Sequence, residues 1–281
     1  SVSGMISPHR TRVALFNRDS LGKLRFVQSQ DVSYSGAVTR VESLEGAACP
    51  DFVYPNYGDY DYAVFSLDPA SLEVSKKSLT SIPDELSRLM VWDTLKMMVR
   101  DSKLSLNDYF DIALPGIATE SSDSVLAILL GNQSALRDGY LSYLTPERRR
   151  ALAPQLEMTI WKRFLDSPAG SNLKLTFFDF FVSVARTQEA VSLLSKLLKE
   201  NQAVDGVSLD QDRRWAIIRA LSAANFPGVR AAIDEEAKSD PSSDGKRSAL
   251  GARAAIPELE NKQAVWKELG SAAELSRSHV R

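Results

Sequence analysis

Histidine is almost missing from this chain of 281 residues: it holds only His9 and His279, and cysteine occurs once, at Cys49. Neither histidine has a second ligand-type residue beside it at metal spacing, and there is no H-E-x-x-H and no C-x-x-C. No zinc site can be assembled from the usual residues. A single cysteine rules out an internal disulfide and fits a reducing compartment. A Ser-His-Asp arrangement would have to draw on a histidine near a chain end, a poor place for a held base. G-x-S-x-G, Walker A and G-x-G-x-x-G loops are also absent. Carboxylates number 36, so the proximity of any two carries no signal. The expectation is no catalytic residue, no metal ligand and no cofactor in this chain.

Basic excess is lacking too. Lys and Arg total 34 against 36 acidic residues, and the pI is about 5.8. Nothing in that balance points to nucleic acid or to an anionic membrane surface. No apolar run approaches the roughly 20 residues of a membrane helix, and SVSGMISPHR at the start lacks the pattern of a secretory signal. A cytoplasmic location follows as the expectation. What is present is ordinary for a globular protein, with 44% hydrophobic and 25% charged residues. Both chain ends read as cuts within a longer protein, the first leading straight into strand-like sequence and the last following a helical pattern without a clear stop.

The chain changes character near residue 68. Before it, short runs alternate apolar and polar residues with period two: 11–16, 23–28, 31–35, 37–42 and 60–67, separated by turn signals at Asp19-Ser20, Ser35-Gly36 and Glu45-Gly46. This predicts a small antiparallel β-sandwich over residues 1–68. In PNYGDYDYAVFSLDPAS, at 55–71, Tyr60, Tyr62 and Val64 fall on one face of a last strand. Two readings stand: a strand that packs its tyrosines, or an aromatic patch for a ligand. Asp68-Pro69 then supplies a helix cap and a first-turn proline.

After residue 68 nearly everything has helical period. The stripe Arg88, Val91, Trp92, Leu95, Met98 and Val99 marks one helix, and others are expected over 107–114, 122–140, 145 to about 164, 173–184, 187–198, 210–223 and 225–238, then from Asp240-Pro241 and from Pro257. About ten short-linked helices do not fit one compact bundle. A stacked, superhelical array of the armadillo or HEAT kind over 69–281 buries their faces better, although no repeat length stands out. The fold class is thus α+β, a small sandwich followed by an all-α array.

Some charges stand out. Arg88 shares the apolar stripe of Trp92 and calls for a carboxylate, from Asp93, Asp101 or another helix; it reads either as a structural ion pair or as a contact for a peptide carboxylate. Arg213, Arg214 and Arg219 beside Trp215 form a basic edge, either solvated or facing an acidic group. Arg148-Arg149-Arg150 follows a helix start, where positive charge opposes the dipole. Tyr140 and Tyr143 read as packing residues.

Residues 50–72 and 85–110 resemble the C-terminal half of bacterial aminopeptidase N-type zinc metallopeptidases. In that family, a strand of the form N-x-x-D-x-x-Y-x-x-x-x-x-D joins a small β-sandwich to a large helical domain, and Asn56, Asp59, Tyr62 and Asp68 occupy the pattern. R-x-x-x-W follows at Arg88 and Trp92, and R-D at Arg100 and Asp101. Stretches 7–26, 210–221 and 240–266 are similar to further parts of the same region. The resemblance implies a hydrolase whose thermolysin-like catalytic domain, with its zinc ligands and G-x-M-E-N motif, lies outside this chain. This chain would be the non-catalytic part of a zinc aminopeptidase that removes N-terminal residues from peptides. It would enclose the active-site chamber and control peptide access, with Arg88, Arg214 and Arg219 as candidates along the peptide path. Its partners would be the catalytic domain of the same polypeptide and the peptide substrate. The alternative is a freestanding helical-repeat scaffold for protein–protein interaction.

Overall fold

The computed structural model describes residues 8–131, 134–201 and 203–271. The chain divides between Tyr143 and Leu144 into two compact units.

The first unit opens with β1 (His9–Arg18), β2 (Leu24–Tyr34) and β3 (Phe52–Tyr54), antiparallel in the order β2-β1-β3. Local chemistry closes the first hairpin. The Asp19 carboxylate accepts the amides of Leu21 and Lys23, both at 2.9 Å, and Gly22 takes a left-handed φ of 74° that a side chain would strain. The register slips between Leu15 and Phe16, so Leu15 faces Gln28 while Phe16 faces Phe26. This bulge re-aims side chains, and Ala14, Leu15 and Phe16 are all buried in succession. Leu24, Phe52 and Tyr54 complete the sheet's core. Hydroxyls then fasten the sheet to the helices: Ser71 Oγ accepts from Val53 N (2.9 Å), Ser81 Oγ accepts from Leu24 N (2.8 Å), and Ser78 Oγ donates to Gly22 O (2.9 Å).

Five helices follow in this unit: α1 (Pro69–Ser78), α2 (Glu85–Arg100), α3 (Leu106–Thr119), α4 (Asp123–Leu130) and α5 (Ala135–Asp138), the last running into a π-helical turn at Gly139–Tyr143. Each begins where the sequence offers a side-chain acceptor to unpaired amides. Asp68 accepts from Ala70 N and Ser71 N, Asp84 from Ser87 N, Ser105 from Asp108 N, and Ser122 from Val125 N. The α2 stripe buries Arg88, Val91, Trp92, Leu95 and Met98 as its spacing predicts.

The second unit is helical: α6 (Pro146–Asp166), α7 (Asn172–Val184), α8 (Gln188–Glu200), α9 (Gln211–Ala223), α10 (Val229–Ser239), α11 (Ser243–Ala255) and α12 (Leu259–Ser271). Neighbours in sequence pack as neighbours in space, α6 on α7, α8 on α9, α10 on α11 and α11 on α12, while α9 also meets α7, α10 and α11. Leu152, Leu156, Ile160 and Phe164, four apart, are buried along α6. The chain is therefore α+β, a small antiparallel sheet followed by a helical array.

Several local expectations change. Residues 23–28 and 31–35 form one strand, β2, and 37–42 forms none, leading instead into a short 3-10 turn at Glu42–Leu44. β3 escaped the period-two reading because it is only three residues long. Residues 60–67 are not a strand: the stretch pairs with no other segment among the described residues, and Tyr60, Tyr62 and Val64 lie exposed. The 122–140 helix breaks after Leu130, where Gly131 ends α4 in extended conformation. At 240, the N-cap is Ser242, whose Oγ takes the Gly245 amide; Asp240 instead accepts from Ser242 and from Trp215 Nε1.

Candidate functional site

In the first unit, Arg88 sits one turn before Trp92 on α2, with its guanidinium withdrawn from water. Its Nε donates to Glu120 Oε2 at 3.0 Å and its Nη2 to Glu120 Oε1 at 3.2 Å, while Nη1 donates to the carbonyls of Ile82 (2.7 Å) and Pro83 (3.1 Å). Glu120 caps the end of α3, and its Oε1 also accepts from Ser121 N and Ser122 N, both at 2.9 Å, at the start of α4. This fork joins the entry of α2, the exit of α3 and the entry of α4. Its partner is the acid from another helix, not Asp93 or Asp101, and the geometry is that of the structural ion pair.

The signature residues near β3 organise a loop. Asn56 is buried, and its Oδ1 accepts from Tyr60 N (3.1 Å) and Asp61 N (3.0 Å) while its Nδ2 donates to Asp61 O (3.1 Å). Thr11 Oγ1 donates to Pro55 O at 2.6 Å, and Tyr57 N donates to Arg12 O at 2.8 Å, so the loop lies along β1. Asp59 takes a left-handed φ of 57°, a conformation aspartate tolerates. Asp61, which the sequence reading passed over, then receives the Tyr34 hydroxyl at 2.5 Å and faces His9 Nδ1 at 3.0 Å, with the His9 and Tyr34 rings stacked. Arg12 lies over the Tyr60 ring at 4.3 Å. The Tyr34 hydroxyl bond, then the His9 contact, hold Asp61 below the usual carboxylate range. Burial and the bond to Asp61 raise Tyr34 to about 12. Nothing in local periodicity signals this cluster, since its members come from β1, β2 and the loop.

In the second unit, α9 presents the basic edge. Arg213 donates to Asp179 (2.9 Å) and Asp210 (2.6 Å). Arg214 grips Glu236 of α10 at two points, Nε to Oε1 at 2.8 Å and Nη2 to Oε2 at 2.5 Å, and donates from Nη1 to Asn201 Oδ1 at 2.7 Å. Burial pushes the Glu236 carboxyl up; the Arg214 and Gln211 bonds outweigh it and leave the group below its ordinary value. Arg219, by contrast, is exposed and makes no ion pair among the described residues. It lines a groove of about 580 Å³ with Trp215, Arg247, Leu250, Val265 and Leu269, while Arg247 pairs with Asp244 at 2.8 Å. Of the three arginines, Arg88 and Arg214 are braced internally and Arg219 faces open space. Within the triplet beside Thr145, Arg149 donates back to Leu144 O and Arg150 pairs with Glu147.

Tyr140 is buried and Tyr143 exposed, the latter beside Lys96 and Arg100 in an open groove of about 1000 Å³ in the first unit. Among the described residues no group of three His, Cys, Asp or Glu side chains stands where it could hold a metal ion.

A short antiparallel sheet handing over to paired helices, with capped helix starts and internally braced arginines, defines an α+β protein with a helical array. The chain belongs to the ERAP1-like C-terminal domain family, whose model matches residues 52–280. It is similar to the aminopeptidase N of Streptomyces lividans, with 31% identity over 265 residues. That match covers 94% of this chain and 30% of the relative, so the chain spans less than a third of that protein's length.

Proposed function

We propose that this chain is the non-catalytic C-terminal part of a zinc aminopeptidase that removes N-terminal residues from peptides, and that its helices enclose the active-site chamber and control peptide access. The observation that carries the reading is the similarity to an aminopeptidase N along 94% of the chain. Zinc in the whole enzyme would activate water for peptide hydrolysis. The side chains described here do not fit a zinc site, so the ligands would come from polypeptide outside this chain. Its partners are then the catalytic domain of the same polypeptide and the peptide itself. We propose that residues 1–68 form a β-sandwich domain and residues 69–281 an α-helical superhelical domain.

Among the three arginines, Arg219 is the one free to meet a peptide carboxylate, because its guanidinium stands open at a groove rather than folded into an ion pair. Arg88 and Arg214 would act along the path by holding the helices that shape it. No helix among the described residues is long and apolar enough to cross a membrane. With the lone free cysteine exposed at Cys49, a cytoplasmic enzyme is the proposed setting.

The test compares this chain with the whole polypeptide on an aminoacyl-anilide and on longer peptides, with zinc present. The whole protein is expected to hydrolyse both and this chain neither. In the whole protein, Arg219→Ala should raise KM for peptides and leave the anilide reaction unchanged. Zinc-dependent hydrolysis by this chain alone would refute the assignment.

A further inference from the structure

α10 starts without a side-chain cap. Its N-cap is Gly228, at a left-handed φ of 84°, and no side chain accepts from its first turn. The amides of Arg230 and Ala231 make no hydrogen bond among the described residues, so partial positive charge stands open there. That alone marks no site. The second observation is Ser195 on α8, which is 7% exposed and whose hydroxyl has no hydrogen-bond partner among the described residues. A helical serine can return its hydroxyl to the carbonyl a turn back, as Ser75 does to Ser71 O at 2.9 Å. Ser195 instead lines a groove of about 530 Å³ between α8 and α10, and Ala231 lines the same groove. Arg214, in the first turn of α9, holds both Asn201 at the end of α8 and Glu236 towards the end of α10. α8 and α10 therefore run the same way along α9. Equal steps back from these two anchors bring Ser195 level with the first turn of α10.

We propose that this groove binds a monoanionic carboxylate carried on an apolar body. The carboxylate oxygens take the Ala231 amide and the Ser195 hydroxyl, as anions do at an open helix start. Lys199, a turn beyond Ser195, lines the groove with no ion pair among the described residues and supplies the countercharge. The hydrocarbon lies on Leu198, Leu221 and Phe226, which form the apolar part of the lining. Two protein carboxylates set the charge that the groove accepts. Glu236 is already held by Arg214 and Gln211. Glu235, one turn beyond Ala231, is exposed and makes no ion pair among the described residues. That negative border opposes a dianionic phosphate more than a single carboxylate. The inference goes beyond the proposed function and does not depend on it, since this groove shares no lining residue with the one that holds Arg219.

Calorimetric titration of this chain with 4-phenylbutyrate tests the site, with the uncharged 4-phenylbutanamide and inorganic phosphate as further probes. Phenylbutyrate is expected to bind saturably and one to one, about tenfold or more tighter than either of the others. Ser195→Ala removes a hydroxyl that has no partner in the fold, so the melting temperature should hold while binding weakens about fivefold to tenfold. Ala231→Pro deletes the open amide at a first-turn position where proline is tolerated, and Lys199→Gln deletes the charge; each should weaken binding by a similar factor. Arg219→Ala should leave binding unchanged. Absence of saturable binding overturns the proposal. So does phenylbutanamide binding as tightly as phenylbutyrate, which leaves an apolar slot without an anion site, and so does phosphate binding more tightly. Binding lost in Arg219→Ala but kept in Ser195→Ala would place the ligand in the other groove and overturn it as well.

Discussion

Arg88 and Glu120, 32 positions apart, meet through two parallel hydrogen bonds of 3.0 and 3.2 Å in a region closed to water. Every guanidinium nitrogen of Arg88 is occupied, and the carboxylate also takes two backbone amides at the start of α4. Removing one partner strands a buried charge. Arg88→Ala is expected to destabilise the chain by about 3–5 kcal/mol, measured by chemical denaturation. Arg88→Lys should rescue little, since one ammonium cannot span both carboxylate oxygens and two carbonyls. Replacing both partners together, as Arg88→Met with Glu120→Leu, should cost less than the sum of the single changes. Strict additivity would show that the pair is not coupled.

Gly116 on α3 lies against the Trp92 ring, and a Cβ added there would stand 2.7 Å from the indole. Alanine in place of a mid-helix glycine ordinarily gains about 1 kcal/mol. Here the clash should dominate, because Trp92 is fully buried. Gly116→Ala is predicted to be destabilising by about 1–3 kcal/mol and to perturb Trp92 fluorescence. A stabilised variant would contradict this packing.

Asn56→Ala should loosen the loop that carries Tyr60 and Asp61, since two part-buried backbone amides lose their acceptor. The expected loss is about 1–3 kcal/mol, with hydrogen exchange at Tyr60 and Asp61 accelerating before that of β1. Unchanged exchange at these two amides would remove Asn56 from the role given to it.

Glu236 titrates below its ordinary value of 4.5, because the bonds from Arg214 and Gln211 overcome its burial. A depressed carboxylate stabilises the fold above the unfolded-state value, and that contribution is lost as pH falls through the folded one. Glu236→Gln should therefore lower stability at neutral pH by about 1–3 kcal/mol and flatten the acid side of the stability profile below about pH 4.5. A parallel offset between the two curves at every pH would count against the pair.

At the opposite end of the scale, Tyr34 is raised to about 12, by burial first and by Asp61 next. A raised group stabilises the fold below the unfolded-state value near 10, and the contribution fades as pH climbs towards 12. Tyr34→Phe is expected to remove that alkaline dependence, read as melting temperature between pH 9 and 12. An alkaline limb that survives in the variant would mean another group produces it.

Several helix starts were open to direct reading. Asp68, Thr145, Thr187 and Asp210 cap the helices expected to begin there, because a cap is settled within three residues, whereas at Asp240 the cap fell on Ser242 instead. The stripes of α2 and α6 followed for the same reason. The partner of Arg88 was open only as a class, an acid on some helix, since a contact across 32 residues leaves no periodic trace. The exposure of Arg219 and the bracing of Arg214 were equally hidden, because α9 carries both and only the position of α10 separates their fates.

Local composition by itself determined the handover from strands to helices near residue 68, several cap residues and the buried stripes, for these depend on neighbours a turn or a pleat away. Only the tertiary structure decided that residues 60–67, with every mark of a strand, stay unpaired among the described residues. A strand exists through hydrogen bonds to another segment, and whether that segment lies alongside is a property of the assembled chain.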